Sequence, residues 1–277
     1  MSSAAVHRYG PSALGDDFRR FWRLTLTLAV TDFKLRYFGS VLGYAWSLVR
    51  PLLFFGVLYV IFTQVVNLGN EVPYYAAYLL TSMMLFNFFA EATQGAARSL
   101  VDRENLLRKI RFPRLVVPTS VTLTALFNLI MNFVAVFVFV IATGVRPHAG
   151  WLAVPFLIAL LFLFALGVGV LLSALFVRFR DIQPIWEVTT QVLFYGSPIL
   201  YVVGKFPDNV ERIMMTNPLA ALMTEMRHVF VDPNAPSAAE AIGGQTRLLI
   251  PLGIIVAFCA LGYWTFSRVA PRIAENL

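Results

Sequence analysis

The side chains able to do chemistry in this sequence are few and scattered. Glu225 and His228 stand three residues apart on one helix face, a spacing that suits a metal ion or an acid–base pair, but no third ligand lies nearby. The other histidines, His7 and His148, are distant, and the one cysteine, Cys259, sits inside an apolar run. With one cysteine an internal disulfide is impossible, and a thiolate metal site is not expected. Asp181, Glu187 and His228 belong to separate elements, so no paired carboxylates or His/Asp cluster of the kind a transferase needs is assembled. We expect no catalytic residue, no metal and no cofactor bound by this chain. No Gly-x-x-x-x-Gly-Lys-Ser/Thr phosphate loop occurs either, so any ATP-dependent step must belong to another chain.

A second group of residues is notable for polarity in apolar surroundings. Glu187, Gln191, Phe194, Pro198 and Tyr201 fall within about 80° of one another on a helical wheel. A carboxylate and an amide on one stripe of an apolar helix face protein or a water-filled path, since facing lipid is costly. Phe55, Tyr59 and Phe62 make an aromatic stripe in an earlier run. Rings of this kind either stack on the C–H faces of sugars, as a conduit would require, or pack helix on helix. Asn128 and Asn132, one turn apart, are expected to hydrogen-bond between helices.

Charge is concentrated in two segments. From Phe18 to Tyr37 the pattern is helical, with Arg19, Arg20, Arg23, Thr27, Thr31 and Lys34 on one face and Phe18, Phe21, Trp22, Leu24, Leu28, Ala29, Phe33 and Leu35 on the other. A basic face opposite aromatic anchors suits the surface of an anionic membrane. Asp32 and Arg36 interrupt the apolar face and either pair with each other or meet a partner or lipid head group. The second segment, Arg98 to Arg114, holds eight charges in seventeen residues. Ser99 and Asp102 have capping-box spacing, Glu104 and Arg108 have the favourable i, i+4 order, and Pro113 ends the pattern. This is either a solvated connector or a docking helix for a cytoplasmic protein.

The elements that position these residues follow from composition. Of 277 residues, 58% are hydrophobic and 13% charged, against about 45–50% and about 25% in soluble domains. A soluble globule, a disulfide scaffold and a disordered tail are excluded. A crossing helix needs about 20 apolar residues. Six runs qualify: Leu48–Val66, Tyr74–Thr93, Val116–Thr143, Trp151–Val177, Pro184–Val203 and Leu248–Val269. The second is the weakest, because Asn87, Glu91 and Gln94 crowd its end. Seventeen Lys and Arg residues fall on one side of the resulting topology and five on the other, which places both termini in the cytoplasm. That distribution explains the net charge of +7 without nucleic acid. Residues 1–43 show no cleavable signal and form a cytoplasmic segment; residues 44–277 form the membrane domain. Between the last two spans Asn217-Pro218 starts a short helix. Its apolar stripe of Leu219, Leu222, Met223, Met226 and Phe230 ends at Asp232-Pro233, too short to span.

Three stretches then resemble a known family. The run from Lys34 through Trp46, Arg50 and Pro51 to Leu53 is similar to the start of the first span of type-2 ABC exporter permeases. Asn105-Leu-Leu-Arg-Lys-Ile-Arg-Phe-Pro-Arg114 is similar to their coupling segment. Arg180-Asp-Ile, Ser197-Pro-Ile and Asn217-Pro-Leu-Ala are similar to their second half. The nearest branch exports lipid-linked polysaccharide: O-antigen, capsule, teichoic acid or cell-wall galactan. The resemblance implies an all-α permease of six transmembrane helices in a bacterial inner membrane, with an N-terminal interface helix, a cytoplasmic coupling helix and short re-entrant helices. It implies pairing with a second copy and with two copies of a nucleotide-binding ATPase that holds ATP and Mg. The cargo implied is a polyprenyl-pyrophosphate-linked glycan. By the same resemblance Arg103, Glu104, Asn105, Leu106, Arg108, Lys109, Arg111, Arg180 and Asp181 couple to the ATPase, and Trp22, Asp32, Lys34 and Arg36 belong to the interface helix. Phe55, Tyr59, Phe62, Glu187, Gln191, Phe194 and Tyr201 line the channel, and Asn217, Pro218, Met223 and Phe230 form the external gate. A related permease for a drug or small lipid, and an integral-membrane glycosyl- or acyltransferase, are the alternatives.

Overall fold

A computed structural model describes residues 18–37, 41–109, 112–204 and 206–270, and all regular structure among them is helical. Helix α1 (Phe18–Tyr37) is followed by α2 (Val41–Val60), which carries Pro51 and widens into a π turn at Ile61–Val65. A single turn, α3 (Leu68–Glu71), leads to α4 (Tyr75–Asp102) and the short α5 (Glu104–Lys109). Then come α6 (Val116–Ala142), α7 (Val154–Arg178) and α8 (Ile182–Gly196). The small helices α9 (Asp208–Met214), α10 (Pro218–Met226) and α11 (Ala238–Ile242) precede α12 (Leu249–Val269).

Among the described residues, four helical stretches are long and apolar enough to cross a membrane: Leu48–Val65, Val116–Ala142, Ala149–Arg178 and Gln245–Val269. The other two expected runs differ for distinct reasons. Helix α4 has 28 residues, ample length, but Asn87, Glu91, Gln94 and Arg98 lower its hydropathy. It is the central helix, packed by α2, α6, α7, α8 and α10, and Ala77, Leu79, Leu80, Phe89, Ala92 and Thr93 are fully buried. A helix wrapped by protein has less need of an apolar exterior. The run Pro184–Val203 is not one helix: α8 stops at Gly196, and its 15 residues reach only about 22 Å. The chain then turns through Ser197–Tyr201, with Ile199 and Leu200 buried. Tyr75 from the start of α4 donates to the Leu200 carbonyl at 2.7 Å, and Tyr78 donates to the carbonyls of Pro198 and Tyr201. These phenols supply the partners an unwound backbone needs away from water.

The N-terminal helix forms as expected, but its buried edge is narrow. Phe21, Thr25 and Ala29 pack on α6, where Thr124 donates to the Ala29 carbonyl at 3.3 Å, while Phe18, Trp22 and Leu35 stay exposed. Ser99 does not cap a helix: α4 runs through it to Asp102, and its hydroxyl donates back to the Ala96 carbonyl at 2.7 Å.

Helices α7 and α12 meet closely enough that glycine is required. A Cβ at Gly262 would lie 2.5 Å from the Gly167 carbonyl oxygen, and one at Gly167 would lie 2.8 Å from the Cys259 backbone nitrogen. Small residues at such a crossing let two backbones approach. Gly262→Leu is therefore expected to cost about 1–3 kcal/mol or more through overpacking. Thermal melting of the detergent-purified chain checks this; an unchanged melting point would contradict the contact.

Candidate functional site

The polar residues of α4 face outward from the core toward α1, α2, α6 and α8, and two adjoining cavities open there. The first, about 430 Å³, is lined by Asp32 and Arg36 of α1, by Glu91, Gln94 and Arg98 of α4, by Arg103 and by Glu187 of α8. The second, about 640 Å³, is lined by Arg50 and Phe54 of α2, by Asn87, Glu91 and Gln94 of α4 and by Asn132 of α6. Glu91 and Gln94 belong to both walls. The helical period explains this: Asn87, Glu91, Gln94 and Arg98 recur at intervals of four, three and four, which keeps them on one face.

Three ion pairs cross the first cavity. Arg36 binds Glu91, Arg103 binds Asp32, and Arg98 meets Glu187 at 3.2 Å. Burial alone would depress the Arg36 guanidinium, but its hydrogen bond and charge contact with Glu91 hold it above its ordinary value. Glu91 also accepts from Asn128 Nδ2 at 2.7 Å, and Asn128 Oδ1 accepts from Tyr37 at 3.0 Å, so one carboxylate joins α1, α4 and α6. Gln183 Nε2 donates to Glu187 at 2.7 Å, and Trp186 Nε1 donates to Thr93 at 3.0 Å, which fastens α8 to α4.

Asp32 and Arg36 thus do not pair with each other; each reaches a different element. Asn128 hydrogen-bonds between helices as expected, whereas Asn132 lines a cavity. Glu187 and Gln191 remain exposed on α8. Tyr201 lies beyond the end of α8 and is not on the helical stripe; its hydroxyl reaches back to the Tyr195 carbonyl at 3.0 Å. Phe55 is buried against Phe139 and stacks on Tyr59, so it packs helix on helix. Phe62 is half-buried against the core. The ring of α2 that meets Phe194 is Phe54, at a centroid separation of 6.4 Å, and Phe86 of α4 lies 5.1 Å from Phe194 on its other flank.

The charged segment is tied inward at its start. Arg103, between α4 and α5, pairs with Asp32 and reaches Ser120 at 3.3 Å, and Leu107 is buried in a cluster with Phe21, Phe112 and Phe266. Glu104 is half-buried and Asn105 exposed. Leu106, Arg108 and Lys109 lie on α5, and Arg111 lies outside the described residues. Arg180 stands 5.3 Å over the Phe176 ring, and Asp181 is exposed at the start of α8. On α1, Trp22 packs edge-on against Phe18 and Phe21, and Lys34 is exposed.

The small helices contain anchors. Asn217 caps α10 by accepting from Leu219 N at 3.0 Å with Pro218 at the first turn, and it donates to Ser197 Oγ at 3.1 Å. Met223 and Phe230 are buried, Phe230 against Phe133, Phe137 and Trp151. Glu225 accepts from Ala238 N at 2.9 Å and His228 contacts the Ala235 carbonyl at 2.7 Å, so both tie the chain to itself; no metal-binding cluster occurs among the described residues.

A polar, arginine-bearing corridor thus runs beside the central helix of a bundle of apolar spans. Residues 23–231 match the model of the ABC-2 type transporter family. The chain belongs to that family. Two O-antigen export system permease proteins, RfbA, from Klebsiella pneumoniae are each 29% identical to it over 255 residues, covering 92% of this chain and 95% of theirs. A protein of the same name from Myxococcus xanthus is 30% identical over 248 residues, covering 89% and 90%. As an ABC-2 chain with apolar spans, it is a multi-pass membrane protein.

Sequence reasoning gave Arg50, Phe54 and Arg98 no place in the site. Arg50 had a legible signal, a lone cation two residues into an apolar run, but was used only for membrane orientation and for the family resemblance. The Asn87–Glu91–Gln94 stripe was equally visible and was read as weakness of a span.

The Asp32–Arg103 pair gives a test of the junction. Both side chains are less than a third exposed. Asp32→Ala leaves a half-buried guanidinium without its carboxylate and is expected to cost about 1–3 kcal/mol. The double exchange Asp32→Arg with Arg103→Asp is expected to recover part of that loss. A thermal-melting double-mutant cycle checks it; additive single effects would show that the two residues do not interact.

Proposed function

We propose that this chain is the membrane-embedded half of an ATP-driven exporter that moves a polyprenyl-diphosphate-linked polysaccharide out of the cytoplasm. The observation that carries the reading is similarity over about nine-tenths of the chain to proteins named O-antigen export permeases. The polar corridor supports it, since a glycan needs a path lined by hydrogen-bonding groups and aromatic rings. In this reading both termini are cytoplasmic and the chain crosses the inner membrane six times. Helix α4 supplies one crossing, and α8 with the Ser197–Tyr201 turn supplies another. Helix α1 lies at the cytoplasmic membrane surface, and α9 to α11 sit at the outer one. A second copy completes the pathway along the exposed face of Glu187 and Gln191.

The energy comes from a separate nucleotide-binding subunit, which holds ATP and Mg. The segment around α5 docks that subunit. Arg103 is engaged inward with Asp32, so the docking contacts fall to the residues after it, with Arg180 and Asp181 nearby. Movement of α5 would pull directly on α1 through the Asp32–Arg103 pair, and on α8 through the far end of α4.

Depletion of the chain in its host tests the cargo. Polyprenyl-diphosphate-linked glycan should accumulate inside while surface glycan falls, and undiminished surface glycan would overturn the reading. Docking is tested separately. In a Cys259→Ser background, single cysteines at Asn105 and Arg108 should crosslink to the ATPase and resist impermeant reagent applied from outside. Labelling from outside would overturn the orientation.

A further inference from the structure

The two cavities differ in electrostatic completeness. In the first, Arg36, Arg98 and Arg103 each face a carboxylate. In the second, Arg50, Asn87 and Asn132 make no hydrogen bond or ion pair with any of the described residues. Glu91 shares this wall but is engaged by Arg36 and Asn128. Arg50 is the third residue of the apolar stretch Leu48–Val65, where a charge is costly unless the site uses it. Three helices therefore bring a guanidinium and two carboxamides to one cavity and leave all three without a partner among the described residues.

The chemistry of the unfilled groups names a ligand class. A guanidinium presents a planar fork of donors that matches phosphate oxygens. A carboxamide both donates and accepts, which suits the hydroxyl and acetamido groups of a sugar. Phe54 lies one turn beyond Arg50 on α2 with half its surface exposed, offering an apolar face to sugar C–H bonds. A volume of about 640 Å³ is within the usual range for small-molecule sites. Resting on the glycolipid reading above, we propose that this cavity binds the phosphate-proximal end of the lipid-linked glycan, with Arg50 on the phosphate and Asn87 and Asn132 on the first sugar. The site then selects a phosphorylated first sugar and leaves the rest of the polymer unread.

The test uses the full-length chain in lipid nanodiscs, with undecaprenyl diphosphate and undecaprenyl-diphosphate N-acetylglucosamine as probes and inorganic pyrophosphate as competitor. Arg50→Gln should weaken both lipids about tenfold or more, the loss expected for a charged hydrogen bond. Arg50→Lys should lose less. Asn87→Ala and Asn132→Ala should weaken the sugar-bearing lipid about three- to tenfold and leave the sugar-free lipid unchanged. Melting points within those of the wild type confirm that each variant is folded, and the asparagine variants test the site even where Arg50→Gln is not. Wild-type binding of both lipids with no change in any variant overturns the site alone. Failure of the wild type to bind either lipid overturns the glycolipid reading with it. Pyrophosphate competing as strongly as the lipids would show a free-anion site and overturn the lipid assignment. Loss of self-association in Arg50→Gln with lipid binding intact would place Arg50 against a second copy instead.

Discussion

Polar groups carried into an apolar bundle must be answered by protein, water or cargo, and α4 is where this constraint is concentrated. Its core face is made of Ala, Leu, Met and Phe, while Asn87, Glu91, Gln94 and Arg98 share the other. Neither face suits lipid: the first is already packed against α6 and α7, and the second needs hydrogen-bonding partners. The helix is therefore central, and the placement of its neighbours follows. Tyr75 and Tyr78 at its start hold the unwound turn after α8. Thr93 and Gln94 hold α8 through Trp186 and Thr190. Glu91 holds α1 and α6 through Arg36 and Asn128. Arg98, near its other end, holds α8 again through Glu187.

This arrangement divides the bundle into a tight part and an adjustable part. The seam of α7 and α12 is close enough for backbones to touch, with glycines at the crossing and one side-chain bond, from the Cys259 thiol to the Leu163 carbonyl at 3.3 Å. The attachments of α1 and α8 to α4 are polar and partly exposed. Pairs of that kind contribute little net stability, because water competes for both partners. For the same reason they exchange partners at small cost. The close-packed seam and the exchangeable polar attachments thus belong to different neighbours of α4.

Much of this was legible in the sequence, and the parts that were not share a cause. The apolar runs of α2, α6, α7 and α12 are long and continuous, so composition alone located them. The Asn217-Pro218 helix start was equally plain, because capping is local chemistry. The continuity of Pro184–Val203 was misjudged because hydropathy does not register a turn whose carbonyls are satisfied by tyrosines from a helix more than a hundred residues earlier in the chain. Asp32 and Arg36 have the spacing of an intrahelical pair, yet stronger opportunities came from α4 and the residue after it. The aromatic stripe of α2 was left open between a conduit and packing, and for Phe55 the packing alternative holds. Phe55 and Phe54 are adjacent in sequence, and which of them turns toward α8 depends on how α2 rotates against α4 and α6. Periodicity fixes relative angles along one helix and says nothing about its rotation in the bundle.

The rotation of α2 matters for electrostatics as well as packing. Turning Phe54 toward Phe194 also turns Arg50, one helical turn earlier, into the wall that carries Asn87 and Asn132. The corridor therefore has one section whose arginines are each compensated by a carboxylate and another whose arginine has no ion pair among the described residues. Between them stands Glu91, common to both cavities and bound to Arg36 and Asn128. That asymmetry rests on one feature of the sequence, a cation placed two residues inside an apolar run, in a wall whose acid, Glu91, is already engaged by Arg36 and Asn128.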